Sequence, residues 1–219
     1  MNIEIKDLLD LDKTISQDIF ENKKYAYEVI KDIEDFTISL GDKLDKEEFE
    51  KIDKDIWINK NATVSNKATI IGPCIIDANA EIRPGAYIRG KTIIGKNCVI
   101  GNSCEIKNAI IFDNSQIPHF NYVGDSILGY HSHLGAGVII SNLKSDGSNI
   151  IIRGKCDIET NMRKMGAVIG DNVEIGCNSV INPGTIIGRN TSIYPLNSVR
   201  GVIPANSIIK DKDTIVEKE

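Results

Sequence analysis

The chain has three histidines, His119, His131 and His133, and they fall within one short stretch. An imidazole titrating near neutrality takes a proton from a nucleophile, and in its neutral form it ligates metal. The five cysteines, Cys74, Cys98, Cys104, Cys156 and Cys177, are odd in number and contain no CxxC pair. A zinc ribbon or a disulfide framework is therefore not expected. The place where chemistry could reside is the histidine cluster, opening with residues 119–129, "HFNYVGDSILG".

That stretch interrupts a rhythm. From Ile58 an aliphatic recurs every six residues, at Val64, Ile70, Ile76, Ile82, Ile88, Ile94, Ile100 and Ile106. Small or short side chains such as Ala62, Ala68, Cys74, Ala80, Cys98 and Cys104 stand two residues ahead of the beat. The beat returns at Leu128, Leu134 and Ile140, and again from Ile169 to Val199. A period of six fits neither a helix nor a long strand; it fits short strands joined by turns and stacked as a solenoid. The expected fold is all-β, a left-handed parallel β-helix with three hexapeptides per triangular coil, aliphatics inside and small residues at the corners. Cys74, Cys98 and Cys104 then read as core filler. Gly72, Gly95, Gly101, Gly170, Gly176 and Gly188 follow interior positions directly, where turns of positive φ are expected.

The solenoid is expected over residues 56–209. Residues 1–55 read as a small acidic, mostly helical segment, with Ala26, Val29, Ile30, Ile33, Phe36 and Leu40 at helical spacing, covering the first coil. Residues 210–219 read as a charged tail. Interruptions near 112–127 and at 141–166 are expected to leave the prism as insertions and to bound a site. Residues 1–55 carry 9 lysines against 17 acidic residues, and the remainder 17 basic against 14 acidic. A faintly positive solenoid suits phosphorylated small molecules but lacks the basic runs and aromatic platforms of a nucleic-acid binder. With no long apolar run and no signal-like start, neither a membrane span nor secretion is indicated, and a cytoplasmic location is expected.

The segments "EIRPGAYIRG", "EIKNAIIFDNSQIPHFNYVGDSILG", "HLGAGVIISNLKSDG" and "RKMGAVIGDNVEIG" resemble the acetyltransferase half of the bifunctional N-acetylglucosamine-1-phosphate uridyltransferases/glucosamine-1-phosphate acetyltransferases and their archaeal sugar-1-phosphate relatives. The resemblance covers residues 57–209. It implies that His119 is the general base, that Asn142 holds the acceptor amine, and that the Ala136 amide faces the oxyanion. It further implies that Arg83, Lys107 and Tyr122 bind the sugar phosphate, with Lys164 or Lys144 standing in for a lysine whose place falls near Ser148. Cys177 and Pro195 would line the acetyl-CoA channel, and Lys210 or Lys212 would meet its phosphates. A homotrimer with sites between subunits, acetyl-CoA as co-substrate and no metal are also implied.

The activity so expected is acetyl transfer to the amine of glucosamine or galactosamine 1-phosphate, standing alone without a uridyltransferase domain. Chemistry is consistent with these roles: an amine attacking a thioester sheds a proton that a histidine can take. Two other readings compete, a catalytically silent scaffold or regulatory protein, and a zinc enzyme resembling the gamma-class carbonic anhydrases. For the second, the histidine spacing lacks that family's pattern, and His131 and His133 flank an inward Ser132.

Overall fold

The computed structural model describes residues 2–211 and 214–218. Short parallel strands stack coil on coil into three walls. The first wall runs through Ile56–Asn59, Cys74–Ile76, Thr92–Ile94, the latter halves of Glu105–Ile111 and Tyr122–Leu128, then Ala167–Ile169, Thr185–Ile187 and Val202–Ile203. The second runs from Thr63–Val64 through Glu81–Ile82, Val99–Asn102, Gln116–His119, His133–Leu134, Glu174–Ile175 and Ser192–Ile193 to Ser207–Asp211. The third joins Thr69–Ile70, Tyr87–Ile88, the first halves of Glu105–Ile111 and Tyr122–Leu128, Ile139–Ile140, Val180–Ile181 and Ser198–Val199. The fold is the expected parallel β-solenoid, and the six-residue beat lines its interior, where Ile82, Ile94, Ile106, Ile175 and Ile187 pack with Cys74, Cys98 and Cys104. Burial pushes the Cys74 and Cys98 thiols up to about 12, which leaves them inert as nucleophiles.

The missed beat at residues 112–127 is not an insertion. The interior positions run Ile106, Ile111, Ile117, Val123, Leu128, so two steps have five residues instead of six. Coils there are one residue short, Glu105 pairing with Tyr122 and Gln116 with His133. The stretch stays on the wall, and Phe112, off the interior, turns outward under the N-terminal segment.

Positive φ also sits elsewhere than expected. None of the six glycines following interior positions has it; asparagines 79, 97, 108, 114, 172, 178 and 190 supply it instead, as a short side chain that tolerates the left-handed region can. Gly101 is glycine because a Cβ would lie 1.6 Å from the Pro118 carbonyl oxygen of the next coil.

The N-terminal segment lies lengthwise on the first wall. Helical turns at Ile5–Leu8, Gln17–Phe20 and Ala26–Val29 and the helix Ile33–Gly41 cover outward residues Ile75, Ile93, Ile110, Ile127, Val168 and Ile186, all fully or almost fully buried. The first coil's edge is met by a strand, Phe49–Asp53, antiparallel to Ile56–Asn59. The 141–166 segment does leave the prism. Its far half forms an antiparallel pair, Ile151–Ile152 with Ile158–Glu159, whose Ile150 and Ile152 join Met165 in the same apolar layer. At the other end the expected charged tail continues the sheet, Ser207–Asp211 pairing antiparallel with Thr214–Glu217. Among the described residues no helix is long and apolar enough to cross a membrane.

Candidate functional site

One corner, between the second and third walls, is assembled by backbone register. His119 ends its strand opposite Asn102. The Gly137 N–H donates to the His119 carbonyl at 3.0 Å, Asn178 N–H to the Ala136 carbonyl at 2.8 Å, and Leu196 N–H to the Cys177 carbonyl at 3.0 Å. His119, Ala136, Cys177 and Pro195 are thereby stacked one coil above another, at the strand spacing of about 4.8 Å. The His119 side chain is exposed, and among the described residues its ring has no hydrogen-bond partner. The Ala136 N–H likewise donates to no group among the described residues, which leaves an amide unspent one coil from the imidazole.

The next column along this corner needs positive φ, at Phe120, Gly137, Asn178 and Leu196. Phe120 and Leu196 are bulky for that conformation and stand 61% and 79% exposed, beside His119 and Pro195. Asn121, buried, clamps the turn from inside: its Oδ1 accepts from the His119 N–H at 3.0 Å and its Nδ2 donates to the Gly135 carbonyl at 2.8 Å. Lys210 lies exposed one coil beyond Tyr194, whose N–H donates to the Ile209 carbonyl. Lys212 lies outside the described residues.

The other edge of the third wall is held by side chains. Asp125, buried and at φ 49°, accepts from Asn108 Nδ2 at 2.7 Å, from Lys107 Nζ at 3.4 Å and from Asn142 Nδ2. Tyr122 stands over the same spot. Burial, and then the charges of Asp125 and Glu105, raise its phenol above the usual range, against the opposing effect of the Asn142 amide. Gly124 makes that approach possible, because a Cβ there would lie 2.6 Å from Tyr122 Oη and 2.8 Å from Asn142 Nδ2. Lys164 is exposed and adjoins Met165, whose N–H donates to the Asn142 carbonyl at 3.0 Å. Lys144 is occupied within its own loop, on the Asn149 carbonyl at 2.6 Å.

Arg83 is not brought to this corner. It lies on the second wall, with its Nε and Nη2 on Glu81 at 3.0 and 3.1 Å. The reason is spacing: 24 residues before Lys107 is one hexapeptide more than a coil, hence one wall away. Arg89 takes the place beside Lys107, since Tyr87 and Ile88 pair with Glu105 and Ile106 and the Arg89 N–H donates to the Ile106 carbonyl. Its guanidinium reaches Glu105 at 2.6 Å and covers the Tyr87 ring. The sequence reading missed Arg89, although its eighteen-residue spacing from Lys107, one full coil, could have found it.

From Gly137, whose N–H meets the His119 carbonyl, to Asn142 the chain runs five residues, at most about 16 Å. The other histidines are placed elsewhere: His131 is exposed, and His133 Nδ1 pairs with Glu174 at 2.8 Å. Among the described residues no three His, Cys, Asp or Glu side chains gather as a metal site would require.

Residues 70–163 match the family model described as GMPPB C-terminal domain, and residues 166–201 the model for bacterial transferase hexapeptide, six repeats. The bifunctional protein GlmU of Methanococcus maripaludis strain C5 is 39% identical over 108 residues, which are 49% of this chain and 26% of that protein. A bifunctional sugar-1-phosphate nucleotidylyltransferase/acetyltransferase of Sulfurisphaera tokodaii is 41% identical over 88 residues, 40% of this chain and 22% of that protein. The chain spans about a quarter of the length of these curated relatives. The resemblance expected from the motifs is thus present. A solved N-acyltransferase of Bacillus cereus, a mutant of AntD in complex with dTDP and coenzyme A, is 17% identical at a TM-score of 0.41 over 75% of this chain and 80% of that one, too loose a likeness to say more.

Proposed function

We propose that this chain is an acetyl-CoA-dependent N-acetyltransferase acting on an amino-sugar 1-phosphate, glucosamine or galactosamine 1-phosphate. The observation that carries the reading is the stacking of an unpartnered imidazole, His119, one coil from the unspent amide of Ala136. The attacking amine nitrogen bonds to the thioester carbonyl carbon and loses a proton to His119. The oxygen that gains charge is met by the Ala136 N–H, and the C–S bond then breaks, the departing thiolate regaining the proton from His119. Cys177 and Pro195, continuing the same column, line the path of the acyl donor, and Lys210 at its far end faces the donor's phosphates. Lys107, with Arg89 in place of Arg83, meets the sugar phosphate: a point charge beside a forked donor. Tyr122 borders the same subsite, and Lys164 stands at the loop return beside it.

The acceptor and donor subsites are completed by a neighbouring subunit of a homotrimer, in which prisms around a three-fold axis form the site three times over. The name of the Sulfurisphaera tokodaii relative, which pairs sugar-1-phosphate nucleotidylyl transfer with acetyl transfer, supports the same assignment. The test is thiol release from acetyl-CoA with a panel of amino sugars and their 1-phosphates. Release that requires a 1-phosphate is the expected result, and silence across the panel with folded trimer overturns the reading.

A further inference from the structure

Asp125 has no place in the chemistry above, yet it is the most enclosed charge at the acceptor edge, its side chain only 6% exposed. A buried carboxylate persists only when donors satisfy both oxygens. Here Oδ1 takes the Asn108 amide, while Oδ2 takes the Asn142 amide and, more loosely at 3.4 Å, the Lys107 ammonium. An ionised carboxylate accepts and cannot donate, so Asn142 must turn its NH₂ inward. Its carbonyl oxygen is then the atom left to face away from Asp125.

Asp125 also governs where the 141–166 segment begins and ends. Its side chain holds Asn142 at the start, and its backbone carbonyl accepts from the Gly166 N–H at 2.8 Å at the finish. The left-handed backbone at Asp125 lets one residue face both ways. We infer that Asp125 is the positioning residue of the acceptor site: it orients the Asn142 amide so that a carbonyl oxygen meets an N–H of the substrate, and it keeps the Lys107 ammonium within reach of the substrate's anion. The identity of that substrate rests on the functional reading above; the orientation of Asn142 does not.

Asp125→Asn keeps the size and removes the rule, because a carboxamide offers donors as well as an acceptor and lets Asn142 turn over. The expected loss in kcat/KM for the amine acceptor is on the order of 100-fold, the scale of a misplaced reactant. In an Asn142→Ala background the same change should add less than about 3-fold, since coupled residues are not additive. Wild-type kinetics, or a fully additive loss, overturns the inference, whereas a residue that merely stabilises the fold lowers Tm and leaves the kcat of the folded fraction alone. A second readout needs no activity: the side-chain amide protons of Asn142, assigned by their disappearance in Asn142→Ala, should exchange slowly with solvent in the wild-type protein and shift in Asp125→Asn. Rapid exchange in the wild type overturns the inference even if Asp125→Asn does not fold. An enzyme silent toward every amino sugar strikes the functional reading instead.

Discussion

The two edges of the third wall are built by different physics. At the His119 edge, position is set by main-chain hydrogen bonds from coil to coil, so the functional side chains need no partners and stand free. At the Asp125 edge three polar side chains, Lys107, Asn108 and Asn142, converge on one buried carboxylate. The first edge should therefore lose chemistry without losing stability when an exposed, unpartnered side chain is cut away. The second couples the two.

The largest expected effect falls on the first edge. His119→Ala should lower kcat by about a hundred- to ten-thousand-fold, the worth of a positioned base, with Tm unchanged because the ring is exposed and unpartnered. A Tm drop as large as that of an acceptor-edge variant would erase the contrast. Next, Lys107→Met removes a charged donor worth roughly 1.5–3 kcal/mol, and should raise KM for the sugar 1-phosphate about ten- to hundredfold with kcat nearly kept. A kcat effect alone would place Lys107 outside the phosphate subsite.

Asn121→Ala tests whether register by itself suffices at the His119 edge. It strands the His119 N–H inside the corner and leaves the Gly135 carbonyl only its bond from the Val138 N–H, so a stability loss of about 1–3 kcal/mol by denaturant melting is expected, with a smaller fall in kcat. The smallest effect concerns neither edge. Asp171 accepts from the N–H groups of Asp10 and Tyr130, pinning the N-terminal segment to the solenoid, and burial first of all raises its pKa, as it does for Asp77 and Asp113. A folded value above the unfolded one means that the native state holds the extra proton between the two, so stability falls as pH rises through that window. Asp171→Asn should thus be most destabilising at low pH, its deficit in Tm shrinking toward neutrality, with acetyl transfer untouched. A deficit that grows with pH would reverse the sign.

Much of the architecture could be read from spacing. Six-residue recurrence marked the interior positions, and the small residues two ahead of them marked the corners, because inward and outward positions alternate along each short strand. The motif around His119 and Gly135, Ala136 and Gly137 marked one edge. What spacing hid was outward apolarity. Ile75, Ile93, Ile110, Ile127, Val168 and Ile186 each precede an interior residue directly, so the pair reads as one strong beat although half of it faces out toward the N-terminal segment. Arg83, expected at the phosphate subsite, falls on another wall for a related reason. A hexapeptide count gives the depth of a residue but not its wall.

The amino-acid sequence by itself determined which side chains point into the prism, since that depends only on residues a few positions apart on one strand. Which residues share a corner was decided by tertiary structure alone, because neighbours across coils depend on the full length of every turn between them. Glu105 lies 17 residues from its partner Tyr122, while His133 reaches Glu174 across the 41 residues that include the excursion. Coil lengths of that kind become visible only when the main-chain hydrogen bonds close, and it is those bonds that bring His119, Ala136, Cys177 and Pro195 into one column.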